Sequence, residues 1–402
     1  MAEVTSADYS KQGYHEIPKA AYAASINWLI LSDNKIRRIP ETIRELKTLS
    51  RLALNDNRIE EIHPELGSLS GLTWIDLTRN RLKTLPDELA NLRKVSGLGL
   101  SENNFSEIPR CIFKMTNLRK FGFFSNKIRD IPKDIRLLIN LIKIDLSNNE
   151  ISVLPEEFCE LRNLNWLNLS NNKLQKLPDR INNLLQLEEL GLGSNCLTEL
   201  PDISNLKRLR ILPVFKNKLE IINQSISHLC SIEKLDFSDN CISEFPSHII
   251  TIPTLRYLNL KSNKIKKIEP NQFRNHVSSI SIIDVSDNLL SCIPLKFFKT
   301  FPNITVIRVG DNPFIYHENK LASNPRLLEV CYSKCLNMKY RCDPWISRRY
   351  PDIKTCDVCN QLFTMQPYLG YNISSIGDGN TFVIEKMLCS FNCYNKEYNK
   401  RC

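Results

Sequence analysis

A solenoid of about thirteen short coils around one curved parallel β-sheet, ending in a small cysteine-rich module, is the fold class this sequence predicts. Three observations carry it. Thirteen asparagines stand in one register: Asn34, Asn57, Asn80, Asn103, Asn126, Asn149, Asn172, Asn195, Asn217, Asn240, Asn263, Asn288 and Asn312. Their first seven spacings are all 23 residues, the eighth is 22, two more are 23, and the last two are 25 and 24. Around each asparagine the apolar residues keep fixed offsets, as at Leu164, Leu167, Leu169 and Leu174 about Asn172. After Asn312 the period stops, and residues 313–402 hold eight of the fourteen cysteines.

The offsets have a physical reading. A short strand, roughly Trp166 to Leu169, alternates its side chains, so Leu167 and Leu169 point one way while Trp166 and Asn168 point the other. The chain then leaves the strand, and the Asn172 amide is placed to bond backbone groups that have lost their sheet partners. Each unit closes with a dipeptide such as Ile39-Pro40, Leu85-Pro86 or Leu177-Pro178. Proline suits an extended return segment because it fixes φ and lacks a donor. So short a unit leaves little room for a full helix, so its outer side is expected to hold extended or 3₁₀ segments.

The pattern L-x-x-L-x-L-x-x-N-x-L is the leucine-rich repeat signature. Residues 26–314 are assigned to a leucine-rich repeat solenoid, residues 1–25 to an N-terminal cap with a short helix at Ala20 to Ala24, and residues 315–402 to a C-terminal helix plus Cys-rich module. Repeat nine, LRILPVFKNKL, departs from the pattern: one residue is lost upstream and Pro213 sits inside the strand, so an irregularity is expected there.

The concave face can be read from the strand positions that point away from the core. Trp28, Trp74, Trp166 and Tyr257 precede the second leucine of their signatures, and Phe124 and Phe215 follow Phe123 and Val214 onto the same face. These six belong to alternate units and form a candidate row of anchors about 10 Å apart, twice the strand separation. Between them Gly99, Gly122 and Gly191 leave the floor bare for a partner's side chain. Large rings dominate many protein interfaces. The alternative is that they pack on adjacent repeats and only thicken the sheet.

Composition bounds the function classes. With 42% hydrophobic and 24% charged residues and no unbroken apolar run of spanning length, no transmembrane helix is expected. The N-terminus carries Glu3 and Asp8 and has no central apolar block, so it does not read as a secretory signal, and a cytoplasmic or nuclear location is expected. The net charge of +10 permits acidic partners, but the cations are scattered through the repeats, and a nucleic-acid role would rest on charge alone. No phosphate-binding glycine loop, nucleophile elbow or HExxH is present and the six histidines are dispersed, so neither catalysis nor a small-molecule substrate is expected.

In the C-terminal segment Asn324 to Cys335 reads as an amphipathic helix with Leu327, Leu328, Cys331 and Cys335 on or near one face. Further on, Cys356-x2-Cys359 is followed by Cys389-x3-Cys393. Two close thiolate pairs can close a tetrahedron around a structural Zn²⁺, which would replace the core so short a segment lacks. Unmetallated buried thiols and a redox role are the alternatives.

The segment RLLEVCYSKC, with Leu327 and Cys331, is similar to the L-x-x-x-C core of the elongin-binding box, in which a helix buries a leucine and a cysteine in a pocket of elongin C. A leucine-rich repeat array, this box-like helix, CDPWISRRYPDIKTCDVC and a terminal CSFNC together resemble the substrate receptors of cullin-2-type ubiquitin ligases. The resemblance implies a protein substrate on the concave face and elongin B/C and a cullin at the C-terminal box. Short cytoplasmic leucine-rich repeat proteins of small-GTPase pathways are the other resemblance. It implies a signalling scaffold with the C-terminal segment as a cap.

Overall fold

The 23-residue repeat becomes a coil with one three-residue strand on one side and a 3₁₀ turn on the other. The computed structural model describes residues 5–22, 25–269, 278–294, 297, 300–301 and 303–314, and the backbone of strands at 354–355, 362–363, 368–375 and 381–388. The chain divides into two compact units, Met1–Cys241 with Ile252–Tyr257, and Ile242–Thr251 with Leu258–Cys402.

Among its described residues the main sheet of the first unit has eleven short strands from Ser6–Asp8 to Lys234–Asp236, paired in parallel in sequence order, and Arg38–Ile39 pairs with Glu61–Ile62 in a separate two-stranded parallel sheet. The middle residue of each repeat strand, such as Leu29, Ile75, Phe121, Leu167 or Leu235, is buried. Burying one such side chain is worth about 1.5–3 kcal/mol, so the inward stripe of strand residues is the main source of stability. Phe105, Phe121 and Phe123 thicken that stripe in the middle of the unit, with ring centroids 5.1 and 5.2 Å apart.

The asparagines do what their register predicts. The Asn172 amide donates to the carbonyls of Leu146 at 2.9 Å, Leu169 at 3.0 Å and Ser170 at 3.3 Å, while its Oδ1 accepts the Ile151 N–H at 3.0 Å. One side chain thus ties its own coil to the preceding one at two points. The residue before each asparagine, from Asp33 through Asp311, lies in the left-handed region with φ between 52° and 58°, and none of them is glycine. That conformation costs a side-chain-bearing residue about 1–2 kcal/mol, which the asparagine bonds and the coil packing offset.

On the other side of the coils the expected 3₁₀ segments are present as five-residue turns, for example Glu41–Glu45, Lys133–Leu137 and Asp179–Asn183. Pro40, Pro132 and Pro178 precede them in extended conformation. The 22-residue step removes one such turn: Pro201 to Leu206 forms tight turns instead, with Asp202 Oδ1 accepting the Ser204 N–H. The irregularity expected at Pro213 is a lost rung. Pro213 pairs with Asp236 on one side, but toward the preceding strand the register holds only at Ile211 with Glu189. The periodic bond from residue 213 to the Leu190 carbonyl has no N–H to make it.

The N-terminal segment differs from expectation in form. Ser6–Asp8 is a strand paired in parallel with Trp28–Ile30, and the short helix expected at Ala20 to Ala24 is a 3₁₀ turn at Lys19–Tyr22. Asn34 treats this segment as a preceding coil, donating to Tyr9 O and accepting from the backbone N–H groups of Gln12 and Tyr14. Lys11 repeats the left-handed turn at φ 57°.

In the second unit Ile282–Asp284 pairs in parallel with Val306–Arg308, and Asn288 and Asn312 make the same three-carbonyl pattern. Phe297 packs between Phe245 and Phe301, with centroids at 5.9 and 4.8 Å. Further along, Tyr368–Ser375 and Thr381–Leu388 form an antiparallel hairpin, and Ile293–Pro294 pairs in parallel with its second strand.

Candidate functional site

Because the strands stay in register, the residues at their first and third positions form rows on the open face of the sheet. In the first row of the first unit, Trp74, Gly97, Lys120, Lys143 and Trp166 are successive register partners. The third-position row beside it runs Asp76, Gly99, Gly122 and Asp145.

All six predicted aromatics are half-buried on this face, but they do not form one row. Trp28, Trp74 and Trp166 begin their strands, as Tyr257 begins Tyr257–Asn259. Phe124 and Phe215 stand two residues beyond the strands Lys120–Gly122 and Ile211–Pro213. At about 3.3 Å per residue, the four-residue offset sets the phenylalanines about 13 Å further along the strand direction.

The rings also lean on their neighbours. Trp74 lies over Gly97, where an added Cβ would come within 2.5 Å of its Cδ1, and Phe215 covers Gly193 in the same way. Trp166 Nε1 donates to Glu189 Oε2 at 2.8 Å, and the Arg51 guanidinium sits 5.5 Å above the Trp28 ring. Packing on the next repeat and exposure of the remaining ring surface therefore coexist. The glycine floor is less bare than the sequence suggests. The space at Gly99 is filled by Asp76 Oδ1 and Thr78 Oγ1, and at Gly191 by Asn168 Oδ1, whereas at Gly122 the nearest atom is Ser101 Oγ at 3.1 Å.

Trp74, Phe124 and Trp166 come together around one depression of about 400 Å³, floored by Gly97, Gly99 and Gly122 and crossed by Lys120 and Lys143. The lysines were missed from the sequence although they occupy the same slot as the tryptophans, one residue before the second apolar position of the signature. Asp145 Oδ1 is held by the Ser147 N–H and hydroxyl, and Asp76 Oδ1 by the Thr78 N–H, so these acids close the strand ends.

Among the described residues no three His, Cys, Asp or Glu side chains gather as a metal site, and no helix is long and apolar enough to cross a membrane. Burial pushes the Cys111 and Cys159 thiols up to about 11 and about 12. The thiolate is the reactive form. Both are expected to resist iodoacetamide at pH 8 in the folded protein while the exposed Cys230 is alkylated, with peptide mapping as the readout. Leu327 and Cys331 of the box-like helix, and the candidate zinc ligands Cys356, Cys359, Cys389 and Cys393, lie outside the described residues.

The repeats match known families and folds. The family described as "Leucine-rich repeat region" matches residues 110–308, and "Leucine rich repeat" matches residues 47–105. Leucine-rich repeat serine/threonine-protein kinase 1 of Caenorhabditis elegans is 33% identical over 85 residues, a stretch that is 21% of this chain and 3% of the kinase. The chain thus spans a small fraction of that relative. A leucine-rich repeat protein of Leptospira interrogans superposes with a TM-score of 0.63 at 25% identity, covering 77% of this chain and 90% of the other. A chain in an octameric complex of Latrophilin 3, Unc5D and FLRT2 (LRR) gives 0.51 at 25% identity, covering 62% and 78%. From the register of its asparagines, its parallel strands and these matches, the chain is a leucine-rich repeat protein.

Proposed function

We propose that the protein is a non-enzymatic adaptor that captures another protein on the open face of the sheet and docks a cullin-RING ubiquitin ligase through elongin C at Leu327 and Cys331, in the cytoplasm or nucleus. The observation that carries the capture half is the convergence of Trp74, Phe124 and Trp166 on one depression, a cluster of large rings of the kind that anchors protein interfaces. A structural neighbour found in a complex containing Unc5D and Latrophilin 3 is consistent with protein partners for such a face. The ligase half rests on the resemblance of RLLEVCYSKC to the elongin box.

The two halves separate by experiment. Affinity capture of the full chain from cells recovers elongin B/C and a cullin, and Leu327→Ala with Cys331→Ala removes them while leaving the substrate. Trp74→Ala with Trp166→Ala does the reverse. Elongin B/C that survives the first pair of substitutions contradicts the ligase assignment. A signalling scaffold instead gives unchanged partners with residues 1–315 alone and no ligase subunit.

In the same reading Cys356, Cys359, Cys389 and Cys393 hold a structural Zn²⁺. The first pair falls in sequence between the antiparallel strands Lys354–Thr355 and Leu362–Phe363, and Cys389 directly follows Leu388. Pairing of the flanking strands draws together the two ends of the connection carrying the first two cysteines, which suits a metal-closed loop. Metal analysis of the purified full chain is expected to find about one zinc per chain, the stoichiometry of a four-thiolate site, and to lose it with Cys356→Ser. Wild-type protein that purifies without zinc, and whose melting temperature added zinc does not raise, rules the site out.

A further inference from the structure

A second depression, of about 530 Å³, adjoins the first along the strand starts. It is lined by Arg119, Arg208, five carboxamides and Ile142, and it contains no acid. Three of the amides are anchored through Nδ2: Asn117 to Arg93 O at 2.7 Å, Asn140 to Thr116 O at 2.9 Å and Asn163 to Ile139 O at 2.9 Å. Arg208 donates to the side-chain oxygen of Gln186. The two depressions meet at consecutive residues, Arg119 with Lys120, Ile142 with Lys143 and Asn165 with Trp166.

The charges along this seam are uncompensated. Lys120 and Lys143 are exposed and stand opposite each other on adjacent strands. Like charges in that relation are destabilising. Among the described residues neither lysine, nor Arg119 or Arg208, has an ion pair, whereas Arg79, Arg81, Arg129, Lys133, Lys173 and Arg210 all do. Of the nearby acids, Asp76 and Asp145 lie on the far side of the first depression, two residues further along the strands, with their Oδ1 atoms occupied by Thr78 and Ser147, and Glu189, one strand past Trp166 in the same row, accepts the Trp166 indole N–H. Between Trp74 and Trp166 the face is therefore polarised, with cations and amides at the strand starts, a ring-bordered glycine floor in the middle and carboxylates beyond.

We infer that the partner segment taken by this face is an acidic stretch of another protein, its side-chain carboxylates meeting Arg119, Lys120, Lys143 and Arg208 while an adjacent apolar side chain fills the floor between Trp74 and Trp166. The inference rests on the capture reading above and specifies the chemistry of what is captured. Asp76 and Asp145 favour a short acidic run over a continuous polyanion, because phosphates extending across the floor would face both carboxylates. Exposed charge pairs are individually weak, so removing both lysines weakens such a segment about tenfold.

The test is selection of a displayed library of random linear peptides on the full chain, followed by affinity measurement with the synthetic consensus peptide. The expected consensus places Asp or Glu beside a large apolar residue. Lys120→Ala with Lys143→Ala weakens its binding about tenfold, binding falls as salt is raised, and Lys120→Glu with Lys143→Glu selects Lys- or Arg-bearing peptides instead. A consensus without carboxylates, or one indifferent to reversal of the lysines, overturns the charge assignment but leaves the capture reading standing if Trp74→Ala with Trp166→Ala still abolishes binding. Failure to select any peptide sensitive to those rings overturns both. A short single-stranded DNA oligonucleotide that displaces the peptide at physiological salt makes the face a nucleic-acid surface. Thermal melts of each variant confirm that loss of binding is not loss of fold.

Discussion

Asn172→Ala lowers stability by about 3 kcal/mol, read as a fall in the urea midpoint of the protein followed by circular dichroism. The figure follows from what the side chain holds. Its Oδ1 is the acceptor for the Ile151 N–H at 3.0 Å, in a site closed to water, and alanine leaves that donor orphaned. An orphaned buried donor costs about 1–3 kcal/mol. The carbonyls are hit less hard, because each is shared. Leu146 O also takes the Asn149 amide at 3.1 Å, and Leu169 O also takes the Asn195 amide at 2.9 Å. They lose one of two donors, worth about 1 kcal/mol each at most.

This sharing gives two sharper expectations. Asn172→Asp preserves an acceptor for Ile151 but turns an oxygen toward the Leu146 and Leu169 carbonyls, so it is at least as damaging as alanine. Asn172→Ala and Asn195→Ala are non-additive, since both act on Leu169 O and the double variant strips it of both donors. A loss below about 1 kcal/mol for Asn172→Ala would mean that the Ile151 N–H finds another acceptor and that the ladder is not what closes the coil.

The same ladder explains what could be read from the sequence. Asn34 through Asn312 reveal the coils because a buried amide that serves three backbone carbonyls and one N–H, as Asn172 does, has no ready substitute, and a residue of that kind keeps strict step. The N-terminal coil was hidden for the converse reason. Gln12 stands where the asparagine belongs and Ala7 is the sole inward residue of Ser6–Asp8, so the segment joins the sheet by backbone bonds that carry no side-chain signature. The left-handed residues were hidden too, because coil closure imposes that conformation on Asp, Arg, Glu, Ser, Asn and Lys alike.

On the open face the six aromatics were legible as outward positions, but their arrangement was not. Phe124 differs from Trp166 by its place beyond the strand, which a repeat alignment reveals only if strand ends are known. The cations Lys120 and Lys143 carry no motif at all, and register alone makes them neighbours. In the C-terminal segment the hairpin Tyr368–Leu388 had a turn signal in Asp378-Gly379, between runs rich in β-branched and aromatic residues.

Gly67→Ala is the second large effect, about 3 kcal/mol, and its cause is overpacking rather than a lost bond. Gly67 is buried in the turn Pro64–Ser68, and an added Cβ would lie 2.3 Å from Glu88 O and 2.6 Å from Glu88 C in the neighbouring turn Asp87–Asn91. Those are backbone atoms, so no rotamer change relieves the clash and the two turns must separate. The repeat itself does not demand glycine there. One step on, Ala90 and then Phe113 occupy the equivalent place, so the restriction belongs to the approach of these two turns. Gly13 supplies the control. Its φ is +73°, but nothing lies within 4 Å of an added Cβ, so Gly13→Ala costs about 1 kcal/mol of backbone strain and no packing. If thermal melts rank Gly13→Ala as the more damaging change, close turn-to-turn packing is not what stabilises this end of the solenoid. If Gly67→Ala ranks first, the outer turns are as tightly specified as the sheet.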